Sequence, residues 1–400
     1  MMGSVYCHCG NVSAITLLNT VNRSLDPAEI ARYARQIALP EIGVNGQQRL
    51  KNARIIVIGA GGLGSPVASY LAAAGVGTLG ILDCDAVDLS NLHRQLLYTT
   101  ADITSRKAVK AAERLRALNP NTEVIPIDVE LRRENALEIL RGYDVVVDGT
   151  DSFQTRYLVN DTCVLLGIPN VYGSVLRFDG QVTVLGAPNG PCYRCLFPVP
   201  PPPGSVPNCA EAGVLGVLPG LVGMLQATEA IKLVLGQGDA LVGRLLLIDA
   251  LGARFTTVAI QRDPRCVSCG TRELRELPDY EAFCSTRDAT PDSGAVQDIT
   301  PRELAVWQQA QREVSVLDVR EPWEWELGHI AGAQLVPLPE LIRQAHTLDP
   351  AKEVVLYCHH GTRAHAAAQR LVALGFRHVY ILAGGIDAWC VHVDPTMPRY

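Results

Sequence analysis

Residues 54–64 read RIIVIGAGGLG, a short apolar run that ends in a glycine-rich turn. The run is typical of a buried strand, and the Ser65-Pro66 pair after the turn predicts a helix with Ser65 as its N-cap and Pro66 at its first position. A strand, a glycine turn and a helix in this order begin many nucleotide-binding units. The stretch therefore predicts an α/β fold with a doubly wound sheet.

Strand and helix patterns alternate from this stretch outward. The next predicted elements are strands at Thr78–Leu82, Glu123–Ile127 and Asp144–Val147 and a helix at Ser105–Leu118. This alternation indicates a parallel sheet. Beyond Gly180 the pattern is mixed, with predicted strands at Gln181–Leu185 and Arg244–Ile248, a helical region at Gly213–Leu235 and a crossover loop at Pro200–Pro203. We therefore expect a mixed, Rossmann-like sheet.

Length and charge limit the function classes. The 400 residues suggest two or three domains, and a formal net charge of -6 with a pI near 5.9 gives no overall basic field. Nucleic acid and anionic membrane are therefore not expected as main partners. Residues 1–22 lack the features of a signal peptide, and the apolar stretch Ala212–Leu225 is too short to span a bilayer. We expect a soluble, cytoplasmic protein.

Composition also divides the chain. Residues 1–22 are expected to form a disordered N-terminal extension, and the polar residues 285–298, rich in Asp, Pro and Gly, are expected to link domains at 23–284 and 299–400. The 12 cysteines are spread along a large α/β-type chain, which favours metal binding and catalysis over disulfides. Four of them are expected to be unreactive thiols: Cys84, Cys163, Cys284 and Cys390. Cys7 and Cys9 receive no role.

The glycine turn and an acid downstream meet the dinucleotide fingerprint. Gly59, Gly61 and Gly64 have its spacing, and Asp83 follows the next strand, where an acid would hold ribose hydroxyls. Taken alone, this pattern predicts a nicotinamide or flavin enzyme. Three further features argue for different chemistry: the extra glycine Gly62, the segment 83–95 (DCDAVDLSNLHRQ) with Lys107 after it, and the segment 148–152 (DGTDS) after a strand.

Together these features resemble the MoeB/ThiF family of ubiquitin-activating-like adenylyltransferases over most of residues 27–270. The resemblance implies ATP, with Asp83 on its ribose and Asp151 positioning Mg²⁺. It also implies a set of further nucleotide-binding residues: Gly62, Ser90, Asn91, Leu92, His93, Arg94, Lys107 and Ser152. Ser152 departs from the family, in which Asn is common at this position. Arg35 matches an arginine that a partner subunit supplies in this family, which implies a homodimer.

These roles suit the activation of a carboxylate. A carboxylate is a poor electrophile, and AMP transfer from Mg²⁺-ATP converts it into a mixed anhydride with a good leaving group. Cations must offset the charge on pyrophosphate, while a carboxylate anchors the metal. Taken singly, Lys107 on a helix or Arg94 in a loop would more often be a solvated surface charge. The assignment therefore depends on the spacing of the whole set.

Two C-x-x-C pairs, Cys192/Cys195 and Cys266/Cys269, lie far apart in the chain. Four thiolates suit tetrahedral zinc, and two such pairs can meet as paired knuckles. The separation is longer than in a compact zinc ribbon, so spacing alone leaves two reduced cysteine pairs as the alternative. The family resemblance implies a structural Zn²⁺ at these four residues.

Residues 358–363 read CHHGTR, between a β-type run at Val354–Tyr357 and a helical pattern at Ala364–Gly375. Backbone N–H groups and the helix dipole favour an anion at such a turn, so Cys358 should be nucleophilic or carry a persulfide. Only four residues separate Cys358 from Arg363, fewer than in cysteine phosphatases, which favours sulfur over phosphate. With the segments 317–321, 328–333 and 384–389, the loop resembles a rhodanese domain, which makes Cys358 and Arg363 its catalytic residues.

Cys209 is an unpaired cysteine between the proline-rich crossover and a helix start. Its location resembles that of the crossover-loop cysteine in fused family members. A thiol at a helix N-terminus is readily activated. We expect Cys209 to attack the Cys358 sulfur and release the product, with an ordinary buried cysteine as the alternative.

The combined resemblance is to MoeZ-type fusions and implies an ATP-dependent adenylyltransferase and sulfurtransferase. Its substrate would be a ubiquitin-like sulfur carrier protein ending in Gly-Gly, its sulfur source a persulfide donor such as a cysteine desulfurase, and its product a thiocarboxylate. MoaD-like, ThiS-like and other carriers remain open, as do molybdopterin, thiamin, cysteine and tRNA thiolation pathways. Two other classes are a nicotinamide-dependent oxidoreductase, which leaves Lys107 and the Cys358 loop unexplained, and a non-catalytic scaffold that binds a ubiquitin-like partner.

Overall fold

A computed structural model describes residues 23–201, 213–280, 296–345 and 348–399 of the chain. The chain divides into two compact units. The first contains the described residues up to 200 and from 213 to 280, and the second contains those from 296 onward. Each unit is built around a sheet of its own.

The sheet of the first unit, within its described residues, contains strands β1 (Arg54–Ile58), β2 (Thr78–Leu82), β3 (Glu123–Ile127), β4 (Val145–Asp148), β5 (Asn170–Leu176), β6 (Asp179–Leu185), β7 (Arg244–Asp249) and β8 (Arg254–Ala259). Their order is β3-β2-β1-β4-β5-β6-β7-β8. Strands β1 to β5 pair in parallel, and β6, β7 and β8 are added in antiparallel. The predicted mixed, doubly wound sheet is confirmed. Its order reverses between β1 and β4, where such sheets open a crevice at the carboxyl ends of the strands.

The described helices of the first unit are α1 (Pro27–Arg32), α2 (Ala34–Ile37), α3 (Gly43–Asn52), α4 (Gly64–Ala73), α5 (Lys107–Leu118), α6 (Ala136–Leu140), α7 (Phe153–Leu166), α8 (Tyr193–Leu196) and α9 (Leu218–Leu235). The prediction of Ser65 as an N-cap is wrong, because α4 begins one residue earlier. The Ser65 N–H donates to the carbonyl of Gly61 at 2.9 Å, and its hydroxyl donates to the carbonyl of Ala60 at 3.2 Å. The glycine turn itself therefore supplies the first helical hydrogen bond.

Helix α9 packs closely against the sheet. The Gln226 side chain donates to the carbonyls of Asp148 and Val171 at 2.7 and 3.1 Å, and a Cβ at Gly173 would lie 2.3 Å from Gln226 Cδ. Glycine at that position therefore lets the helix approach β5. Among the described helices, α9 is the one with the length and composition to cross a membrane. However, 61% of these 18 residues are buried within the protein, as is typical of a core helix.

The described part of the second unit contains strands β9 (Val296–Ile299), β10 (Val314–Asp318), β11 (Gln334–Leu335), β12 (Glu353–Tyr357) and β13 (Val379–Leu382). All pair in parallel, in the order β11-β10-β12-β13-β9. Its helices are α10 (Pro301–Gln309), α11 (Pro322–Leu327), α12 (Leu338–Gln344), α13 (Thr362–Ala373) and α14 (Gly385–His392).

Two features of this sheet bear on the sequence expectations. Val354 and Leu356 of β12 belong to one buried cluster, while Val355 and Tyr357 belong to another. Both faces of the sheet are therefore covered, as expected for parallel strands. Strand β9 begins inside the segment predicted as a linker, so residues 296–298 are part of the second sheet.

Candidate functional site

Two turns of the first unit meet backbone to backbone at the crevice. Gly59 has a φ of +86°, and a Cβ at Gly64 would lie 1.8 Å from the carbonyl oxygen of Gly59. A Cβ at Gly59 would lie 3.0 Å from the carbonyl oxygen of Gly149, in the turn after β4. These contacts require glycine and bring the N-terminus of α4 to the crevice. Free backbone N–H groups at a helix N-terminus favour a phosphate.

The crevice contains a cavity of about 510 Å³. Seven of the predicted nucleotide-binding residues line it: Gly62, Asp83, Asn91, Arg94, Lys107, Asp151 and Ser152. Ser90, Leu92 and His93 belong to the same segment as Asn91 but do not line the cavity. Arg35 lies exposed on α2 and does not line it either.

Asp83 directly follows β2 at the wall of the cavity and is buried. Its carboxylate accepts hydrogen bonds from the N–H groups of Ala60 and Asp85, each at 2.8 Å. Burial raises the pKa of this carboxyl, and the nearby Lys107 ammonium offsets part of the rise. Each carboxylate oxygen has a second lone pair, so Asp83 can still accept a ligand hydroxyl.

Lys107 and Arg94, which line the cavity, rest on partners that a ligand could replace. The Lys107 Nζ lies 2.9 Å from an Asp85 carboxylate oxygen, and the Asp85 side chain is 66% exposed. Arg94 donates to the backbone carbonyl of Ser90 at 2.9 Å. Lys107 is buried but its acidic partner is exposed, and the partner of Arg94 is a neutral carbonyl, so phosphate oxygens of a bound polyanion could replace both partners.

The turn that carries Asp151 is held from two sides through Thr150. The buried Asp148 carboxylate accepts from the Thr150 N–H at 3.0 Å and from its hydroxyl at 2.7 Å. Arg156 is buried and donates from Nε and Nη2 to the Thr150 carbonyl at 3.2 and 2.9 Å. Asp151 and Ser152, which follow, are exposed at the cavity.

The four cysteines of the C-x-x-C pairs converge. All their Sγ atoms lie within 4.8 Å of one another, with Cys192 3.6 Å from Cys266 and Cys195 3.4 Å from Cys269. Four sulfurs at about 2.3 Å from a tetrahedral zinc would be roughly 3.8 Å apart. The donor set therefore fits a structural zinc closed to substrate.

A buried carboxylate joins both cysteine knuckles to helix α7. Asp161 accepts from Arg194, which lies between Cys192 and Cys195, at 2.7 Å. It also accepts from Ser268, between the other two cysteines, at 3.1 Å and from the Tyr280 hydroxyl at 2.8 Å. These contacts hold the knuckles on the helix that begins directly after Ser152.

In the second unit, Cys358 lies buried between β12 and α13. The Gly361 N–H donates to its Sγ at 3.1 Å. Arg363 makes two bonds to the buried Glu324 carboxylate at 2.6 and 2.9 Å. The sulfur is thus met by a backbone donor, while the loop arginine is engaged by a carboxylate.

The flanking motifs that the sequence analysis singled out assemble around this loop. Arg320 and Asp318 form a fully buried pair at 2.6 Å, and Arg320 also donates to the carbonyl of Gly328. A Cβ at Gly385 would lie 2.2 Å from the His359 carbonyl oxygen, and the Ile386 N–H donates to the Cys358 carbonyl. Burial, with a smaller effect of His360, lowers the pKa of His359 to about 4.

The remaining cysteines divide by position. Burial raises the pKa of Cys163, Cys390 and, together with nearby acids, Cys84. These three shifts agree with the prediction of unreactive thiols. Cys209 lies outside the described residues, as do Cys7, Cys9 and Cys284.

The cavity also contains residues that the sequence analysis missed: Asp85, Gln95, Glu130, Leu131, Gln154 and Arg156. Glu130 and Leu131 follow β3, while Gln154 and Arg156 lie in the first turns of α7, after β4. Segments that leave the carboxyl ends of parallel strands converge at this edge of a sheet. That topological rule was the signal that could have found them.

Comparison with known proteins gives two family matches. The ThiF family matches residues 33–268, and the rhodanese-like domain matches residues 300–392. The Mycobacterium tuberculosis protein named "Probable adenylyltransferase/sulfurtransferase MoeZ" is 46% identical over 385 residues, covering 94% of this chain and 97% of that protein. The "Sulfur carrier protein adenylyltransferase" of Thermus thermophilus is 58% identical over 265 residues, covering 65% of this chain and 98% of that protein. A crystal structure of E. coli MccB with ATP matches with a TM-score of 0.53 at 22% identity, over 60% of this chain and 75% of that one, which shows a shared fold.

Proposed function

This chain belongs to the ThiF family and carries a rhodanese-like domain, and from that premise we propose that it adenylates and then thiolates a ubiquitin-like sulfur carrier protein. The observation that supports the proposal is that one chain contains both kinds of site. One unit places Asp151 in a cavity with Lys107 and Arg94, and the other holds Cys358 against a backbone N–H donor. A nicotinamide enzyme has no use for the second site.

In the first step, a carboxylate oxygen of the carrier's terminal glycine attacks the α-phosphorus of ATP. The bond from that phosphorus to the bridging oxygen breaks, pyrophosphate leaves, and the carrier becomes an acyl adenylate. Asp83 accepts from the ribose hydroxyls, and the N–H groups at the start of α4 face the phosphates. Lys107 and Arg94 exchange Asp85 and the Ser90 carbonyl for phosphate oxygens and offset their charge.

Asp151 is suited to hold Mg²⁺ in this cavity. It offers an exposed carboxylate where triphosphate oxygens would lie, and oxygen ligands are those that Mg²⁺ prefers. Bound there, the ion would neutralise phosphate charge. Asp148 and Arg156 keep the turn in place, and Ser152 stands beside it where relatives commonly have Asn.

The four-cysteine cluster is proposed to hold one Zn²⁺ per chain as a structural ion. Its ligands would be Cys192, Cys195, Cys266 and Cys269. Elemental analysis of freshly purified, reduced protein should find one zinc per chain, and Cys266→Ser should lose the ion and melt at a lower temperature, because thiolate–metal bonds contribute folding free energy. Protein that contains no zinc and melts normally would rule this out.

In the second step, Cys358 carries a persulfide obtained from a donor such as a cysteine desulfurase. Its terminal sulfur attacks the acyl carbon, AMP leaves, and an acyl disulfide joins carrier and enzyme. The Cys209 thiolate then attacks the Cys358 sulfur and expels the carrier thiocarboxylate. The resulting Cys209–Cys358 disulfide requires a two-electron thiol reductant of the cell. The role of Cys209 depends on the sequence resemblance.

Arg35 supports a homodimer. It is exposed on α2 and does not reach the cavity of its own chain, as suits an arginine that acts on a partner's ATP. Arg35→Ala and Asp151→Ala should each be inactive, and mixed dimers of the two should regain part of the activity. Confirmed heterodimers without activity would show that Arg35 acts within its own chain, and an active Arg35→Ala protein would show that Arg35 has no role.

The test of the whole proposal uses candidate carriers, MoaD-like and ThiS-like among them. The carrier that belongs to this enzyme should stimulate ATP–pyrophosphate exchange. With a persulfide donor, it should gain the mass of one oxygen-to-sulfur exchange. The same panel would choose among the molybdopterin, thiamin, cysteine and tRNA thiolation pathways. A scaffold without activity would bind a carrier and show no exchange.

A further inference from the structure

Gln95 lines the nucleotide cavity, and none of the steps proposed for adenylation uses it. We propose that its side-chain amide donates a hydrogen bond to a non-bridging oxygen of the ATP α-phosphate, which makes Gln95 a further catalytic residue of the AMP transfer. The role assigned to Gln95 rests on the proposed adenylation for its rate assay, but its binding assay needs no carrier.

The Gln95 amide is buried, and one end of it is unpaired. The residue is 4% exposed, and its Oε1 is buried with no hydrogen-bond partner among the residues that the structure describes. A buried carbonyl without a donor costs free energy, and such groups are rare in folded proteins. An apolar side chain of the same length would avoid this cost. A polar residue at this point is therefore expected to serve a ligand.

The nitrogen end of the amide lies beside the glycine turn. A Cβ at Gly61 would lie 3.5 Å from Gln95 Nε2. Gly61 belongs to the turn that leads into α4, where free backbone N–H groups favour a phosphate. Within the described part of the chain, no hydrogen bond engages Nε2. An amide nitrogen has two N–H donors, so both are available to a phosphate oxygen at this turn.

The backbone around Gln95 is tied to the same turn. The Gln95 carbonyl accepts from the Tyr98 N–H at 3.1 Å, and the Tyr98 hydroxyl donates to the Ala60 carbonyl at 2.9 Å. Ala60 precedes Gly61, and its N–H donates to the Asp83 carboxylate at 2.8 Å. The α-phosphate is the phosphate joined directly to the ribose. A nucleotide whose ribose is held at Asp83 would therefore bring this phosphate to the turn and to the Gln95 amide.

A neutral donor at the α-phosphate suits the transfer step. Attack on the α-phosphorus increases the negative charge on its non-bridging oxygens, and a donor already in place stabilises that charge most in the transition state. The amide neither gives nor takes a proton, so it acts through this hydrogen bond alone. Loss of the bond is therefore expected to lower kcat more than the affinity for ATP.

The test compares two variants of Gln95. Gln95→Met keeps the length of the side chain and removes the amide, and Gln95→Glu replaces the nitrogen by an anionic oxygen. The matched control is Gln181→Met, at a half-buried glutamine of β6 that does not line the cavity. ATP–pyrophosphate exchange is measured with ATP, with each diastereomer of its α-phosphorothioate and with its β-phosphorothioate. Calorimetry measures nucleotide binding, and thermal melts measure folding.

We expect Gln95→Met to lower exchange by about 10²-fold, mostly in kcat. It should melt no lower than the wild type, because it removes a buried, unpaired carbonyl. Sulfur is a weak hydrogen-bond acceptor, so one α-phosphorothioate diastereomer should react slowly with the wild type and lose this extra slowing in Gln95→Met. The effect of the β-phosphorothioate should stay the same. Gln95→Glu should also bind ATP more weakly, because its charge repels phosphate, and Gln181→Met should equal the wild type throughout.

A Gln95→Met protein with wild-type exchange would overturn the proposal. Lost exchange with an unchanged α-phosphorothioate effect would also overturn it, since that result indicates a structural role, and so would normal exchange by Gln95→Glu. If the wild type binds Mg²⁺-ATP but shows no exchange with any carrier, adenylation fails as the function. Binding then decides the role of Gln95: a preference between the two α-phosphorothioate diastereomers that Gln95→Met lacks supports the contact, and an equal preference in both proteins overturns it.

Discussion

The nucleotide cavity and the Cys358 loop handle positive charge in opposite ways. In the cavity, Lys107 is paired with Asp85, whose side chain is 66% exposed. In the loop, Arg363 is paired with Glu324, whose side chain is 4% exposed, through two short bonds. One acid is free to turn into solvent, and the other is fixed in the core.

The difference follows from what each site has to hold. A triphosphate brings several charges, so its cations must be released from their resting partners when it binds. A persulfide brings one charge on one sulfur, and the Gly361 N–H is already in place to meet it. The loop arginine is held by the Glu324 carboxylate in this structure, and its catalytic role stays a prediction.

The largest expected effect separates the two sites completely. Cys358→Ala should abolish thiocarboxylate formation and leave ATP–pyrophosphate exchange unchanged, because adenylation precedes sulfur transfer. The control is Cys390→Ala, a buried cysteine of α14 in the same unit, which should keep both activities. The assay must exclude free sulfide, which could attack the adenylate directly. Thiocarboxylate formed at the wild-type rate from a persulfide donor would contradict the assignment.

The converse variant disables the cavity alone. Asp151→Ala should lower exchange by about 10²–10³-fold, the usual cost of removing one electrostatic contact in a transition state. Its melting temperature and the persulfide loading of Cys358 should stay normal. Glu113→Ala, which removes an exposed acid on α5 outside the cavity, should exchange at the wild-type rate. Full exchange by Asp151→Ala would exclude the proposed Mg²⁺ position.

Stability measurements compare the two ion pairs directly. Glu324→Gln leaves Arg363 buried without its carboxylate and should lower the free energy of unfolding of the second unit by about 3–5 kcal/mol. Asp85→Asn removes an acid that is 66% exposed, where water can replace the lost carboxylate, and should cost less even though Lys107 is buried. All four tryptophans, Trp307, Trp323, Trp325 and Trp389, lie in the second unit. Their fluorescence therefore follows Glu324→Gln in urea, and circular dichroism follows Asp85→Asn. Equal losses would remove the distinction between the two pairs.

The smallest expected effect is on how the stability of the second unit depends on pH. Burial lowers the pKa of His359 from 6.5 to about 4, so between these values the unfolded chain binds more protons than the folded one. The contribution of neutral His359 to stability is therefore complete above pH 6.5 and is lost as the pH falls toward 4. His359→Gln, which stays neutral, should flatten this part of the pH dependence. Tryptophan fluorescence melts at pH 7 and pH 5 would measure it, and identical slopes in both proteins would contradict it.

Local sequence was sufficient for the strands that lead into the sites. The bounds of β1, β2 and β3 agree with prediction because each is a short run between turn or helix residues. Asp83 was predicted from the fingerprint spacing and Lys107 and Asp151 from the family resemblance, and all three line one cavity. Contacts between residues far apart in the chain could not be predicted from local sequence. The partner of Arg363 is Glu324 on α11, and nothing in the local pattern of either residue indicates that pair.

Strand β9 has a practical consequence for anyone who expresses the second unit as a separate protein. A fragment cut at residue 299 would lack Val296, Gln297 and Asp298, which pair with Val379, Tyr380 and Ile381 of β13. Strand β13 would then become the edge of the sheet, with unpaired amide and carbonyl groups beside apolar side chains. Such an edge is a template for pairing with other molecules. Such a fragment is expected to precipitate, whereas one that retains β9 should remain monodisperse.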